Sequence, residues 1–489
     1  MDIRRNALAD IVGAVNVIDD PRILEGYASD CSAAPRRNPR FVVHPQNATQ
    51  VQALVTWANQ THTGLVPVSS GAPHFYGDTV PSQPGSIIVD LSGMKQIKRI
   101  DRRNKMVVIE PGVTYAELKP ALAKEGLRIS QPLLPRRNKS VVASLLERQP
   151  TTIPRFNFSL PEPLRNCGVV WGSGEIAFTG ESGNGIPDLE EQWKLGGAQV
   201  DPKGPNATDL MRLLTGAQGT MGIVIWASVK CELIPAASHS VFVASEKLED
   251  LIDFCYQEER IRIGDEMMCV NAPQLATMMG DSANEIGRLK AKLPAWTVMI
   301  RLAGAGHFPS ERVEVQRLDL GRLAQKCGLT LQNSLASNGA AELEKAFESD
   351  SGDTYYKLKY KGGCREVFFL TTLDKAPQFV SNVFAIAERN RYDVTEIGVY
   401  IQPQHQGVSQ HVEFSFPYDP GDTRGTERID RIYAETSEVL MSEGAYFSRP
   451  YGAWAEMIYS RDATATKILR VVKGIVDPKN VLNPGKLCF

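Results

Sequence analysis

The sequence predicts an α+β protein of two domains. Three observations carry that expectation. At 489 residues the chain exceeds one ordinary domain. From Phe41 short apolar strands alternate with amphipathic helices, the pattern of a mixed α/β layer. Near Ala236 the composition shifts, and strands then recur in an order that suits an antiparallel sheet with helices on one face. The expected division is residues 1–235, an inserted cap at 236–445, and a C-terminal segment, 446–489, returning to the first domain.

The first domain opens with the strand FVVHP at Phe41. TQVQALVTWANQ follows with Val51, Leu54, Val55 and Ala58 at helical spacing, behind Thr49 as the candidate cap. GLVPVSS, SIIVDLS and KMVVIEPG read as strands. VTYAELKPALAKEG reads as a helix with a capping box, Thr114 and Glu117, stopped by Gly126. From Pro132 to Pro163 runs a proline- and arginine-rich stretch of little periodicity, a length that inside a compact domain usually signals function. GVVWGSGEIAFTG reads as a strand hairpin and GIVIWASVKCELIP as a long strand. In the second domain VFVAS, WTVMIRLAG, REVFFLTTL, EIGVYIQP and HVEFSFPYD read as strands. Between them lie the helices KLEDLIDFCYQEERI, SERVEVQRLDLGRLAQKCG and APQFVSNVFAIAERN.

Composition narrows the partners. A net charge of −2 leaves no cationic excess for nucleic acid or an anionic membrane. No apolar run has the roughly 18–20 residues of a membrane span, and the acidic N-terminus lacks a signal-peptide core, so a cytoplasmic location is expected. The eight cysteines form no C-x-x-C pair and no zinc or iron–sulfur spacing. The nearest approach to a dinucleotide fingerprint, Gly304-Ala305-Gly306, lacks its third glycine, which argues against nicotinamide.

One loop suits a pyrophosphate. In Pro67–Asp78 the small residues Ser69, Ser70, Gly71 and Ala72, followed by Pro73 and His74, leave backbone N–H groups open to close approach. With SVVASLLERQP, TGAQGTMGIV and DPKNVLNPGK in order after it, and EPGVTYAELKPAL between, the chain resembles the FAD-binding domain of the vanillyl-alcohol oxidase/p-cresol methylhydroxylase superfamily. It is most similar to the branch that oxidises 4-substituted phenols. Pro67, Ser69, Gly71, Tyr76 and Gly77 match that branch's first loop. Ser140, Val141, Glu147 and Arg148 match its second motif, with Ser144 in place of an asparagine.

The resemblance implies FAD as cofactor, held by the Pro67–Gly77 loop, by Ser140 to Arg148 and by Gly219, Gly222 and Ile223, with Lys486 nearby. It implies a small-molecule substrate. It leaves open a separate electron-acceptor protein and assembly as a homo-oligomer or a redox-complex subunit. Three departures stand out. The acidic residue expected before the second motif is missing from Leu134-Pro135-Arg136-Arg137, and those arginines could instead hold a carboxylate. Phe75 replaces the glycine before Tyr76. No covalent flavin attachment is clearly matched in the cap, and His74 lies in only a partial match to the histidine-linked branches.

In QPQHQGVSQHVEFSFPYD, His411 and Glu413 are two apart on a strand and so share a face. They suit acid–base chemistry above a flavin; a metal site with His405 and a structural pair are the other readings, with no metal the expectation. Tyr446 and Arg449 are similar to the Tyr-Arg pair that holds a phenolate in the phenol-oxidising branch, although three residues apart rather than adjacent. Tyr76, Tyr446 and Arg449 are therefore expected to converge on a substrate oxyanion, with His411 or Glu413 as acid–base partner. The expected activity is hydride removal from a para-substituted phenol or aromatic alcohol. The alternatives are a D-2-hydroxyacid dehydrogenase of the glycolate-oxidase type and an electron-transferring flavoprotein subunit.

Overall fold

A computed structural model describes residues 3–154, 162–184, 186–195, 209–335, 338–339, 344, 347–405 and 407–489. The end of the aperiodic stretch, residues 155–161, lies outside these. The rest of that stretch contains a short helix, Val141–Leu146, capped by Ser140 through its bond from the Ala143 amide.

Two sheets build the first half. Strands Phe41–Val43, Ile87–Asp90 and Leu65–Val68 run parallel, with Val17–Ile18 antiparallel at one edge. The C-terminal tail closes the other edge: the Leu65 amide donates to Val481 and the Asn483 amide to Leu65. The second sheet is antiparallel, in the order Ile97–Asp101, Met106–Ile109, Gly222–Lys230, Leu164–Trp171 and Ile176–Phe178. Helix Ala48–Thr61 buries Val51, Leu54, Val55 and Ala58 between the sheets, as its spacing requires. Its cap is Asn47, two residues before the expected Thr49, because the Asn47 carboxamide accepts from the Gln50 amide. Helix Tyr115–Lys124 carries the expected Thr114–Glu117 capping box and covers the outer face of the second sheet.

The cap is one antiparallel sheet of seven strands. Their order is Leu331–Gln332, Ala237–Ser245, Trp296–Gly304, Glu266–Asn271, Gly398–Gln404, Ser409–Tyr418 and Gly363–Thr371. The strand Glu266–Asn271 lay unrecognised in the sequence, since EMMCVN is buried on both faces and has no alternation. Helices Glu249–Ile261, Pro309–Lys326, Ala376–Arg389 and Thr423–Ser442 cover one face. The expectation of helices on one face only needs correcting. Ala272–Met279 and Ala283–Lys290 pack on the other face, over Phe242, Met268, Val270 and Met299. They cover only part of it. The three strands at the far edge, Gly398–Gln404, Ser409–Tyr418 and Gly363–Thr371, turn their free face toward the first domain, where Tyr76 packs against Phe368.

Those strands divide their labour by period two. On Ser409–Tyr418, Val412, Phe414 and Phe416 point into the helix-covered core, while His411 and Glu413 take the opposite face. Phe414 is wholly buried and stacks on Phe369, with ring centroids 6.3 Å apart. Phe414→Ala should cost about 3–5 kcal/mol of stability, read as a lower denaturation midpoint; an unchanged midpoint would contradict this packing.

Candidate functional site

The loop after strand Leu65–Val68 is held from both sides. The Gly71 amide donates to the Asn138 carbonyl at 3.0 Å, and Asn138 Nδ2 donates to the Ala72 carbonyl at 2.7 Å. Arg136 Nη1 donates to the carbonyls of Gly71 (2.7 Å) and Pro73, and its guanidinium lies over the Phe75 ring. The Ser140 amide donates to Ser70 Oγ, and Lys486 Nζ donates to the Gly77 carbonyl at 2.7 Å. Arg136, where an acid was expected, therefore serves the loop, and Arg137 is exposed. The expectation that this pair could hold a substrate carboxylate is corrected: one cation is already spent on backbone carbonyls and the other faces solvent.

Two cavities of about 110 Å³ each meet along Pro67, Val68, Ser69, Asp78, Ala143 and Glu147 to make one elongated groove. One end reaches His74, Arg136 and Lys139. The other follows Gly216, Gly219, Gly222 and Ile223 to Tyr451. Gly219 has φ +71°, and a Cβ there would sit 2.5 Å from Pro67 Cγ, so only glycine lets the two segments meet. Lys139 pairs with Glu147, whose Oε2 is buried without a partner. Burial, with repulsion from Glu147, pushes the Asp78 carboxyl up to about 7. Burial, with the charges of Arg136 and Lys139, pushes His74 down to about 3.

Helix Val141–Leu146 turns its period toward this groove differently from the motif. Val142, Ala143, Leu146 and the adjoining Glu147 line it. The expected cofactor residues Ser140, Val141 and Ser144 turn their side chains into the protein. Ser140 Oγ donates to the Pro111 carbonyl, Val141 lies in the core, and Ser144 is bonded to Tyr115 and Gln149. Arg148, in the left-handed region at φ +54°, bonds Thr215 and borders the cap cavity instead.

On the cap face, antiparallel register sets His411 opposite Leu370 and Gln402, and Glu413 opposite Phe368 and Tyr400. A buried polar chain runs across it. His411 Nε2 lies 3.4 Å from Glu413 Oε2, Lys357 Nζ pairs with both Glu413 and Glu366, and the Tyr76 hydroxyl donates to Glu366 Oε2 at 3.0 Å. Against the cost of burial, Lys357 and His411 hold Glu413 below the usual carboxylate range. Burial, with repulsion from Glu413, holds Glu366 above it. Against burial again, the two carboxylates hold Lys357 above the usual ammonium range. Burial pushes His411 down to about 4, only partly offset by Glu413. His411 is thus neutral near pH 7, and its bond to Glu413 assigns the proton to Nε2 and leaves Nδ1 as an acceptor. Removing Lys357 alone would strand two buried carboxylates, at a cost of about 3–5 kcal/mol.

A cavity of about 570 Å³ opens beside His411 and Arg449, with apolar walls from Leu145, Ile153 and Leu370. Arg449 is only 4% exposed, and its guanidinium lies 3.9 Å over the Phe368 ring. Among the described residues it forms no ion pair: Glu366 and Glu413 are taken by Lys357, and Glu162 in the cavity wall pairs with Arg165 and Lys230. Tyr446 stands at the rim, 62% exposed, tied by its backbone to Leu370. Arg148, Lys375 and His405 are further toward the mouth.

The expected convergence of Tyr76, Tyr446 and Arg449 is corrected. Tyr76 does not border this cavity: it stacks on Tyr451, with centroids 4.7 Å apart, on the other side of Phe368. Lys357 and Glu366 went unnoticed in the sequence. Glu366 carried a signal, since it alternates with Phe368 and Leu370 on one strand face; Lys357 lies in a single turn, Tyr356–Leu358, with no pattern. Among the described residues no three His, Cys, Asp or Glu side chains gather as a metal site, and no helix is long and apolar enough to cross a membrane.

Residues 39–144 match the family described as FAD binding domain. D-2-hydroxyglutarate dehydrogenase of Stutzerimonas stutzeri (strain A1501) is 22% identical to this chain, covering 98% of it and 97% of the relative. The crystal structure of p-cresol methylhydroxylase with substrate bound shares the fold with a TM-score of 0.82 at 18% identity, over 99% of this chain and 96% of that one. The 4-ethylphenol oxidase of Gulosibacter chungangensis also gives 0.82 at 18% identity, over 99% and 97%.

The groove fits FAD. It is long and narrow, Lys139 and Arg136 bring cations to one end, and the partnerless Glu147 Oε2 can accept from a sugar-chain hydroxyl. The protein is an FAD-dependent oxidoreductase. Beyond the matched FAD binding domain, the chain has the fold of p-cresol methylhydroxylase and 4-ethylphenol oxidase along nearly its whole length.

A Cβ on Gly71 would lie 2.5 Å from Asn138 Nδ2, inside the clasp that shapes the loop. Gly71→Leu should therefore purify with little flavin, read from the ratio of visible to ultraviolet absorbance. Full occupancy would mean that the loop does not hold the cofactor.

Proposed function

We propose that the enzyme oxidises a small organic anion whose oxyanion pairs with Arg449, and that a para-substituted phenol is the first candidate. The observation that carries this reading is a buried guanidinium that borders a cavity and forms no ion pair among the described residues, the acid in the cavity wall, Glu162, being paired with Arg165 and Lys230. A buried charge left unpaired is costly, so a bound oxyanion is the natural partner. The apolar walls suit an aromatic ring.

His411 Nδ1 takes the phenolic proton, with the Glu413 carboxylate orienting the imidazole and favouring its charged form. Arg449 then holds the phenolate, whose charge pushes electrons toward the carbon that loses hydride. Bound FAD supplies the hydride acceptor. Tyr446, at the rim, borders the entrance and contributes less. Reoxidation falls to dioxygen or to a separate carrier protein.

A second reading rests on the mouth of the cavity. Arg148 and Lys375 bring its cations to three with Arg449, a set that would hold the carboxylate of a 2-hydroxy acid while His411 took the hydroxyl proton. Relatives named for such substrates align along nearly the whole chain.

Anaerobic flavin bleaching with 4-alkylphenols, with 2-hydroxy acids and with neither separates these readings; bleaching by no donor would favour an electron-transferring subunit. With the true substrate, Arg449→Ala should slow flavin reduction about 10²–10³-fold, and Tyr446→Phe only a few-fold. Wild-type rates in Arg449→Ala and His411→Ala together would overturn the site. The base must be neutral to act, so the rate should hold steady from pH 7 to about 5. It should fall as the pH drops through about 4, where His411 gains a proton; a pH–rate profile of flavin reduction reads this limb.

A further inference from the structure

His411 has little to hold it in one state except its neighbours. Around it stand Glu413 on its own strand, Tyr400 on the adjacent strand with rings 5.8 Å apart, and Lys357 from the short helix. Glu366 lies beyond Lys357; Arg449 and Glu162 also line the cavity, with Arg148, Lys375, His405 and Tyr446 toward its mouth. Of the charged groups, only Lys357 meets the carboxylate that His411 touches. It is also the sole bridge, among the described residues, from that carboxylate to Glu366 and thence to the loop tyrosine.

We propose that Lys357 is the positioning residue of this site: clamped between Glu366 and Glu413, it keeps Glu413 as the anion that orients His411 and ties that orientation to Tyr76 in the flavin-binding loop. The inference rests on the reading of His411 as the base. Its physical content is independent of which substrate is bound. With Lys357 in place, the Glu413 charge is shared between an ammonium and an imidazole N–H, so the imidazole is not drawn to protonate. Without it, the Glu413 charge faces His411 uncompensated, with Glu366 behind it, and the ring becomes the nearest group that can supply a cation to Glu413. Its proton affinity must rise. The base is then lost at a higher pH, and the acid limb of the rate profile moves up with it.

The experiment uses the FAD-loaded enzyme carrying isotopically labelled histidine, with His411→Asn assigning the resonance among the seven histidines. In wild-type protein, His411 should remain the neutral Nε2–H form down to about pH 4. In Lys357→Met its titration midpoint should rise by about one pH unit or more, and the acid limb of flavin reduction should rise equally. Lys357→Arg should restore both. Lys357→Gln, of similar size and uncharged, serves if the methionine variant does not fold. A midpoint in either neutral variant equal to that of the wild type, with flavin content intact, would overturn the proposal. The titration needs no substrate. A shifted midpoint in a protein whose flavin no donor reduces would therefore count against the functional reading and leave this one standing.

Discussion

Lys357 sits where no ammonium can stay unpaired, and much of the site follows from how it is satisfied. Two carboxylates reach it from adjacent strands, Glu413 and Glu366, and each has a second partner: an imidazole on one side, a phenol on the other. That single buried cation favours the charged form of both Glu413 and Glu366 and the neutral form of His411, against or alongside the effect of burial. It takes up Glu366 and Glu413, Glu162 in the cavity wall is paired with Arg165 and Lys230, and Arg449 forms no ion pair among the described residues. The same constraint explains why Tyr76 belongs to the junction between domains rather than to the substrate cavity: its hydroxyl is needed to complete Glu366.

The first domain solves a different problem, how to hold a long polar cofactor in a narrow groove whose charged lining is Asp78, Arg136, Lys139 and Glu147. The loop after Leu65–Val68 is stiffened from outside, by Arg136, Asn138 and Lys486 gripping its carbonyls, so that its inner side stays narrow and small. Close approach is enforced at Gly219 by Pro67. Arg136 is thus held by the loop, while Arg449 lies over Phe368 on the cap face that turns toward the first domain.

Much of this was legible in the sequence, and what was not has physical reasons. Alternation along HVEFSFPY put His411 and Glu413 on one face because period two admits no other arrangement. The order of the loop and glycine motifs marked the groove. Strand Glu266–Asn271 was invisible because a strand buried on both sides has no alternation to read. Ser140 matches the motif and Ser144 stands at its asparagine position, yet a helix presents only one side, and theirs faces the protein. Lys357 could not be found by pattern at all. Its partners are contributed by strands that meet only in the folded sheet, and a lone lysine in a one-turn helix looks like any solvated surface residue.

The incomplete cover over the cap sheet has a consequence for how such a protein can change. Two short helices stop partway across one face, and the strands beyond them alternate, residue by residue, between a packed side and an open one. Position 411 borders the cavity and 413 belongs to the polar chain, while 412, 414 and 416 keep their neighbours in the core. Durability and chemistry are written on opposite sides of the same ribbon. A lineage could revise what it oxidises by editing one side, with the fold read from the other left untouched.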